Sequence, residues 1–410
     1  MKDMLIHEFA PLYLSIDRVG PFNSKMESID FTDSNNESCN LFLFLSKNGR
    51  GKTTALELMA KLMSMLGHEK TNDFAAANSR LPKSPFGFEH LDIGDGRAQW
   101  DIRIRYSADG VERVTVLSLI AGMIGTETSL KFWGDDELAL VGAREWHRFG
   151  FCHNEVGSWS TIGVHDTWVL DFNSIIAAAA GQPLGGFEEN TLVWPTLVYF
   201  SAYRNVVQVS ADQQRAIVAP RDWNYNPVHS IKTDQGDWRD SLDNLLVWLR
   251  WLDDGRFSRA LSLVNERVFS ETTTYLRGVS KEPPEGEIVR DGNSHRLDML
   301  SSGEKSLVQI FLRLGAHMTT NTILLIDEPE AHLHENWKFR LFEQFKKMAK
   351  DFFPGLTIIV ATHSQEMMAA LALELSEENV RKGGYFFESE QEESLSTAVQ
   401  QKASVEYGQL

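Results

Sequence analysis

The chain reads Leu41-Phe42-Leu43-Phe44-Leu45-Ser46-Lys47-Asn48-Gly49-Arg50-Gly51-Lys52-Thr53, and this stretch with the residues that follow it decides the fold. Residues 41–45 form a continuous apolar run, which is typical of a strand buried on both faces of a sheet. After Thr53, apolar residues return at the spacing of one helix face, namely Leu56, Met59, Leu62, Met63 and Leu66. A buried strand, a loop that ends in Gly-Lys-Thr and a helix form, in that order, the setting of a P-loop. The stretch therefore predicts an α/β fold.

The loop supplies groups that bind a phosphate chain. Gly49 and Gly51 allow the backbone to curl so that its N–H groups point at phosphate oxygens, and the following helix adds its N-terminal dipole. Lys52 supplies a positive charge to the β- and γ-phosphates, and the hydroxyl of Thr53 is a ligand for Mg²⁺. We therefore predict ATP and Mg²⁺ as cofactors. The predicted nucleotide contacts in this loop are Ser46, Asn48, Gly49, Gly51, Lys52, Thr53 and Thr54.

One position departs from the usual P-loop pattern, because Ser46 stands where the first glycine is expected. A serine fits there only if its φ is negative or if mild strain is accepted. The other half of the motif is intact, so we expect Ser46 to be tolerated. The alternative interpretation is a chance Gly-Lys-Thr in a loop.

Two further apolar strands are predicted downstream, and each ends in polar side chains. The run 322–326 leads into Asp327 and Glu328, and the run 356–361 is followed within two residues by His363. Ligands bind at the carboxyl ends of such strands. We predict that Asp327 holds Mg²⁺, directly or through water, and that Glu328 orients or deprotonates the attacking water. His363 would reach the γ-phosphate or that water; solvated acids and a core histidine are the alternatives.

A third polar group, Ser301-Ser302-Gly303-Glu304, stands at a predicted helix start. Small residues at this position leave backbone donors exposed for an anion. We include Ser301, Ser302, Gly303 and Glu304 among the predicted nucleotide contacts. An ordinary helix start is the alternative, since serine is a common cap.

The order of these motifs resembles the nucleotide-binding domain of ABC-type ATPases. The stretches SKNGRGKTT, LSSGEKSL, LLIDEPEAHLHENW and VATHSQEM correspond to the Walker A, signature, Walker B and switch-histidine motifs of that class. The resemblance is strongest to the branch of RecF, SMC proteins and OLD nucleases (the AAA15-type ATPases). It implies a homodimer or higher oligomer in which ATP lies between the P-loop of one subunit and the signature of the other. Ser301 and Gly303 would then face the γ-phosphate that is bound by the partner's Lys52.

The resemblance is clear over residues 1–66 and 285–370, and it implies an ABC ATPase head of two lobes, 1–66 and 285–410. Residues 67–284 form a predicted inserted region. The sequence predicts no long coiled coil in that region, so we expect no SMC-like arm.

The insert has patterns of its own. They are a hairpin over 100–119, a strand over 192–201 and two helices within 240–276. Residues 120–190 show no pattern that assigns a fold. The Glu-rich stretch 374–393 is read as a solvated acidic end.

Two sets of residues in the insert have open interpretations. Ten of the eleven tryptophans lie between Trp100 and Trp251. Core packing is the plainer explanation, and a partner-binding surface or base stacking are the others. Arg204, just after the strand over 192–201, is either a phosphate contact or part of a structural salt bridge.

The composition limits the classes of function that the protein can have. The chain has 40 Lys and Arg against 57 Asp and Glu, a net charge of −17. This argues against a surface coated in phosphate-binding charge, although a local basic groove and hence nucleic acid stay possible. The two cysteines form no CxxC pair and fit a reducing cytoplasm. We expect no signal peptide and no membrane span, and therefore a cytoplasmic protein.

The resemblance also implies a role. Only 47 residues follow His363 and they contain no Asp-x-Asp pair, so we expect an ATPase without a nuclease domain of its own. Stand-alone ATPases of this branch resemble subunits of the anti-phage systems Septu, PARIS and retron modules, in which the ATPase regulates a separate nuclease or toxin. A RecF-like DNA-repair ATPase is the main alternative, and a scaffold with permanently bound ATP is another.

Overall fold

The computed structural model describes residues 4–23, 25–46, 49–70, 73–75, 85–123, 129–182, 194–204, 215–221, 223–231, 237–331, 333–373 and 377–387. The strands are β1 (Leu5–Asp17), β2 (Glu27–Asp30), β3 (Leu41–Leu45), β4 (Arg97–Ala108), β5 (Val111–Met123), β6 (Glu145–His153), β7 (Trp159–Ile162), β8 (Thr196–Phe200), β9 (Val228–Ile231), β10 (Thr274–Val279), β11 (Gly286–Arg290), β12 (Asn293–Arg296), β13 (Thr322–Asp327), β14 (Leu356–Thr362) and β15 (Lys382–Phe386). The α-helices are α1 (Lys52–Met63), α2 (Glu89–Asp92), α3 (Asp135–Leu140), α4 (Thr167–Ala179), α5 (Leu242–Leu252), α6 (Arg256–Arg267), α7 (Ser302–His317), α8 (Glu335–Asp351) and α9 (Gln365–Leu373).

The central sheet is parallel and holds six strands in the order β15-β3-β14-β13-β8-β9. Because all six strands run in the same direction, their carboxyl ends meet at one edge of the sheet. That edge carries Leu45 of β3, Asp327 of β13 and Thr362 of β14. The predicted α/β fold is confirmed, and the P-loop lies at the same edge as the acidic end of β13.

The side chains of β3 alternate between two hydrophobic cores, which explains its continuous apolar run. Phe42 and Phe44 pack with α1 and with a second, largely antiparallel sheet. Leu41 and Leu43 pack on the opposite face with helices α5 to α9. The central sheet is therefore the middle layer of three and is covered on both faces, as expected for parallel strands.

The second sheet has the order β2-β1-β4-β5-β6-β7, and its neighbours are antiparallel except for the parallel pair β5–β6. Strands β4 and β5 form the hairpin predicted over 100–119. Asp109 and Gly110 make its turn with φ of 53° and 74°, and positive φ at both positions matches the twist of a two-residue hairpin loop. The hairpin is confirmed, and its strands extend beyond the predicted bounds on both sides.

The two helices predicted within 240–276 are present, but the second was predicted too long. Helix α6 ends at Arg267, and β10 begins at Thr274. Three consecutive threonines, 272–274, favour a strand over a helix. The side chain of Asn265 fixes the reversal, because it accepts from the N–H of Leu276 over 2.7 Å and donates to its carbonyl over 3.0 Å. Strands β10, β11 and β12 form a small antiparallel sheet.

Strands from the predicted insert share both large sheets with strands from the predicted head. Strand β8 lies between β13 and β9, and β4 pairs with β1. The predicted strand over 192–201 is observed from Thr196, directly after Pro195, which has no N–H to donate; residues 192–193 lie outside the described residues. The division of the chain at 67 and 284 stays a prediction.

Several stretches that the sequence left open take regular structure. Within 120–190, the described residues contain the end of β5, helices α3 and α4 and strands β6 and β7. Residues 382–386, inside the stretch read as a solvated acidic end, instead form β15 beside β3, so that reading was wrong for this part. Most of the described tryptophans are buried or half-buried, although Trp251 is 59% exposed. Among the described helices, none is both long and apolar enough to cross a membrane.

Candidate nucleotide site

The loop between β3 and α1 needs glycine at one position for two reasons. Gly51 caps α1 with φ of 100°, a conformation that L side chains rarely adopt. A Cβ at Gly51 would also lie 2.3 Å from the ring of Phe22. Gly49 has φ of 80° but open space around it. The predicted contact Asn48 lies outside the described residues.

Ser46 and Lys52 are in direct contact. The ammonium of Lys52 donates to the Ser46 carbonyl over 2.7 Å and to its hydroxyl over 3.1 Å. Ser46 is buried and does not occur among the described residues with positive φ, so it takes the place of the first glycine without that strain. Burial lowers the pKa of Lys52, and the charges of Glu328, Asp327 and Glu330 oppose this shift.

Thr53 and Asp327 join the P-loop helix to the end of β13. The Thr53 hydroxyl donates to Oδ2 of Asp327 over 2.7 Å. Burial raises the pKa of Asp327 to about 6, and the nearby charge of Glu328 adds to the rise. The hydrogen bond from Thr53 and the positive charges of Arg204 and Lys52 act in the opposite direction.

This pair fits a Mg²⁺ ion. Oδ1 of Asp327 is buried and has no hydrogen-bond partner in the structure, and a buried carboxylate oxygen is costly unless a donor or a cation satisfies it. Mg²⁺ commonly takes one or two protein oxygens and completes its shell with water and phosphate oxygens. Across the residues that the structure describes, no group of three His, Cys, Asp or Glu side chains could hold a metal. A site completed by phosphate is therefore the form that these residues fit.

Glu328 has a backbone conformation that is rare for its residue type. Its φ is 46°, and a left-handed conformation at a non-glycine residue costs about 1–3 kcal/mol. Its N–H donates to the Ala361 carbonyl over 2.9 Å, and its own carbonyl accepts from the N–H of Ala331 over 3.1 Å. Nδ1 of His363 lies 3.5 Å from Oε1 of Glu328, so two of the three side chains predicted as catalytic, which also include Lys52, are neighbours.

Arg204 is buried behind this segment, and its partners are main-chain carbonyls and a serine hydroxyl. Its guanidinium donates to the carbonyls of Ser201, Asp327 and Glu328 over 3.0, 2.6 and 2.8 Å. Its Nε donates to the Ser306 hydroxyl over 3.2 Å. Burial lowers the pKa of Arg204 to about 10, against the opposing charges of three carboxylates, so it is cationic at neutral pH. Among the residues that the structure describes, Arg204 thus binds main-chain oxygens and no carboxylate, so the salt-bridge interpretation is wrong, and the phosphate interpretation stays a prediction.

Glu330 is a second residue whose role the sequence did not reveal. Its side chain is buried, and Oε1 accepts from the Thr362 hydroxyl and, over 3.2 Å, from the N–H of His363. Nδ1 of His363 lies 3.6 Å from the same oxygen. Glu330 therefore ties the end of β14 to the segment after β13. The sequence feature that could have indicated this role is the position of Glu330 two residues after Glu328.

The Ser301–Glu304 group forms a cap of its own at the start of α7. The Ser301 hydroxyl accepts from the N–H of Glu304 over 3.3 Å, and the Glu304 carboxylate accepts from the N–H of Ser301 over 2.9 Å, which is a capping box. Arg290 donates to the other oxygen of Glu304 over 2.7 Å. Burial alone would raise the pKa of Glu304, but these partners hold it below its usual value.

In the structure, the predicted site residues thus form two separate groups. Ser46, Lys52, Thr53, Asp327, Glu328 and His363 form one group. Ser301, Ser302, Gly303 and Glu304 form the other. Through the residues that the structure describes, Arg204 and Ser306 link the two within one chain.

Comparison with known proteins gives one family match. Residues 208–369 match a family described as "AAA domain, putative AbiEii toxin, Type IV TA system". This range contains Ser301–Glu304, Asp327, Glu328 and His363, whereas the P-loop lies before it. The match indicates an ATPase domain in this part of the chain. No curated protein matches the chain.

The chain is similar to a number of solved structures at low identity. The Smc head bound to the C-terminal winged-helix domain of ScpA has 14% identity and a TM-score of 0.40, over 88% of this chain and 91% of that one. The Smc head with an extended coiled coil, bound to the C-terminal domain of ScpA from Pyrococcus furiosus, has 13% identity and a TM-score of 0.40, over 88% and 92%. A dimeric bacterial ABC transporter cassette has 19% identity and a TM-score of 0.21, over 31% and 47%.

Proposed function

We propose that the protein is an ABC-class ATPase that binds ATP with Mg²⁺ and hydrolyses it between two copies of the chain. The observation that carries this proposal is the contact of Thr53 with Asp327 beside a buried, unpaired oxygen of that aspartate. A hydroxyl and a carboxylate in contact are the groups with which P-loop enzymes hold the Mg²⁺ of their nucleotide, and this supports the proposal. The ATPase family match over residues 208–369 supports the same class.

Each polar side chain at the strand edge has a role in this reaction. Lys52 binds the β- and γ-phosphates, and Thr53 with Asp327 holds Mg²⁺, which neutralises the charge that develops on the phosphates. Glu328 orients the attacking water and accepts its proton. His363, beside Glu328, contacts that water or the γ-phosphate.

The start of α7 completes the site of a second copy. Ser301 and Ser302 are exposed and their helix begins with small residues, so its N-terminal N–H groups are accessible to an anion. In the proposed head-to-tail dimer, Ser301 and Gly303 contact the γ-phosphate on the partner's Lys52. Dimerisation then depends on ATP and reverses on hydrolysis.

We further propose that the ATPase regulates a separate effector, a nuclease or a toxin, in anti-phage defence. The description of the matched family names a toxin–antitoxin system, which supports a partnership with another protein. ATP binding would hold the effector in one state, and hydrolysis after infection would release it.

The ATPase proposal is tested by nucleotide binding, ATP turnover and light scattering on three variants. Lys52→Ala is expected to lose ATP binding, and Glu328→Gln is expected to bind ATP, dimerise and lose turnover. Lys347→Ala, which removes an exposed lysine of α8, is the matched control and should behave as wild type. Turnover by Glu328→Gln at the wild-type rate would refute the catalytic assignment.

The effector proposal is tested by purifying the Glu328→Gln protein from its native host with ATP and Mg²⁺. A stoichiometric nuclease or toxin that is lost from the Lys52→Ala protein is the expected result. Nuclease-sensitive DNA without a protein partner would instead favour a DNA-repair ATPase.

A further inference from the structure

The main chain after β13 loses its strand partner on one side only. Pairing with β14 continues through Asp327, whereas pairing with β8 ends one residue earlier, at Ile326. From there Arg204 supplies the donors that β8 no longer provides, because its two terminal nitrogens bind the carbonyls of Asp327 and Glu328. The left-handed backbone of Glu328 is therefore held on one side by β14 and on the other by a guanidinium.

The same guanidinium reaches the helix that begins with the signature. Its Nε donates to the hydroxyl of Ser306, which is buried in the second turn of α7. Ser306 lies five residues after Ser301, or roughly 7.5 Å along a rigid helix. A displacement at the start of α7 is thus passed to Arg204 through one short segment of helix.

Arg204 is not available to a ligand in this arrangement. An arginine has five N–H donors, and four of those of Arg204 are engaged by Ser201, Asp327, Glu328 and Ser306. The side chain is also 3% exposed. Its effect on a bound nucleotide must therefore pass through the groups that it holds.

We propose that Arg204 is a positioning residue that couples the start of α7 to the backbone of Glu328. The inference rests on the proposed function, in which Ser301 contacts the nucleotide of the partner while Glu328 serves the nucleotide of its own P-loop. Arg204 then links the two nucleotide sites of the dimer. When the start of α7 binds one nucleotide, Ser306 and Arg204 hold the backbone of Glu328 in the position that is needed to hydrolyse the other nucleotide.

The test compares Arg204→Lys with Ser306→Ala in the full chain, with Ser258→Ala on the exposed face of α6 as control. Lysine keeps the charge but cannot bind both carbonyls at once. We expect Arg204→Lys to lower kcat about tenfold or more while the Kd for ATP stays within about twofold. Ser306→Ala keeps both carbonyl contacts but removes the link to α7, so kcat should fall by about threefold or more while the Kd for ATP stays within about twofold.

Two kinetic results would overturn the inference. A weaker Kd for ATP at unchanged kcat in Arg204→Lys would make Arg204 a phosphate ligand, and an unchanged kcat in Ser306→Ala would disprove the coupling through α7. If Arg204→Lys does not fold, as thermal unfolding would show, Ser306→Ala carries the test.

Amide hydrogen exchange separates failure of this inference from failure of the proposed function. Arg204→Lys should exchange faster than wild type at the amides of Glu328 and Ala331, whether or not ATP is hydrolysed, because both amides depend on the held conformation. A wild type without turnover would refute the proposed function alone. Unchanged exchange in Arg204→Lys would refute the positioning role.

Discussion

Thr53 and Asp327 are joined by a hydrogen bond of 2.7 Å, although 274 residues separate them along the chain. The bond connects the first turn of α1 with the last residue of β13. It uses only one oxygen of the aspartate and leaves the other buried and unpaired. The two residues that we propose as Mg²⁺ ligands are thus already in contact within one chain.

Removing the Thr53 hydroxyl should weaken the binding of ATP only when Mg²⁺ is present. Thr53→Val keeps the shape of the side chain but loses the metal ligand and the bond to Asp327. We expect the Kd for Mg-ATP, measured by calorimetry, to rise at least about tenfold. Thr53→Ser keeps the hydroxyl and should stay within about threefold of wild type. An equal loss in EDTA would show that the hydroxyl contacts phosphate rather than metal.

Alanine substitutions at the two loop glycines should have unequal effects. Gly49→Ala places a side chain in open space and costs only the left-handed conformation, about 1–2 kcal/mol. Gly51→Ala adds a clash with Phe22, so its free energy of unfolding should fall further, and ATP binding should be lost. Urea unfolding measures the free energy of unfolding of the two variants, and nucleotide titration measures their ATP binding. Equal destabilisation by the two changes would contradict the clash.

Glu304 should matter for the stability of α7 more than for chemistry. Glu304→Gln keeps the capping box and is expected to hydrolyse ATP at close to the wild-type rate. Glu304→Ala loses the box and the pair with Arg290, which should lower the free energy of unfolding by about 1–2 kcal/mol. A large loss of turnover in Glu304→Gln with unchanged unfolding would instead make this carboxylate a nucleotide contact, as the sequence predicts.

A charged side chain at Ser301, the residue that caps α7, tests dimerisation separately from folding. Aspartate is as good a helix cap as serine, but the Ser301 hydroxyl also donates to the Glu304 carboxylate over 2.8 Å. Ser301→Asp should therefore lower the thermal unfolding temperature of the monomer by a few degrees and leave it folded at room temperature. Its carboxylate would repel the γ-phosphate in the proposed dimer, and ATP-dependent dimerisation should be lost in light scattering. Ser301→Asn, which caps without charge, is the control. Dimerisation of the aspartate variant at wild-type ATP concentrations would argue against a phosphate at this position.

Asp101 gives the protein a pH dependence of stability away from the nucleotide site. Burial raises the pKa of Asp101 to about 6 from its ordinary 3.8, against hydrogen bonds from Ser118 and Gln99. The folded state therefore holds this proton more tightly than the unfolded state. The contribution of Asp101 to stability is most favourable below about pH 4 and falls as the pH rises to about 6.

The variant Asp101→Asn removes this titration. Between pH 4 and pH 7, its free energy of unfolding relative to wild type should shift in favour of the variant by up to about 3 kcal/mol. Urea unfolding at both pH values measures the shift, with the exposed Asp136→Asn as control for the loss of one charge. A difference that does not change with pH would contradict the raised pKa.

Local patterns were enough to predict the elements that carry the strand-edge residues. Strand β3, helix α1 and strand β13 each have a clear apolar period, and the polar residues follow directly where each strand ends. The sequence therefore predicts Lys52, Thr53 and Asp327 as neighbours, and the structure brings them together. Their contacts with nucleotide and metal stay predictions.

What the sequence could not predict depends on contacts between distant segments. Arg204 acts on main-chain carbonyls more than 120 residues away, and no pattern of side chains marks a carbonyl as a partner. The end of α6 depends on Asn265 binding the backbone of Leu276. Strand β15 contains two glycines and no apolar alternation, and it forms because β3 offers it an open edge.

The position of β15 changes how truncations of this protein should be interpreted. Strand β15 is the outer neighbour of β3, and the N–H of Phe387 binds the carbonyl of Leu45, the residue before Ser46. A shortened chain without residues 377–387 would leave β3 as an edge strand, with the loop after it unsupported and a row of open hydrogen-bonding groups prone to aggregation. Loss of activity in such a deletion would therefore reflect a collapse of the loop after β3, and it would not identify the removed segment as a regulatory tail.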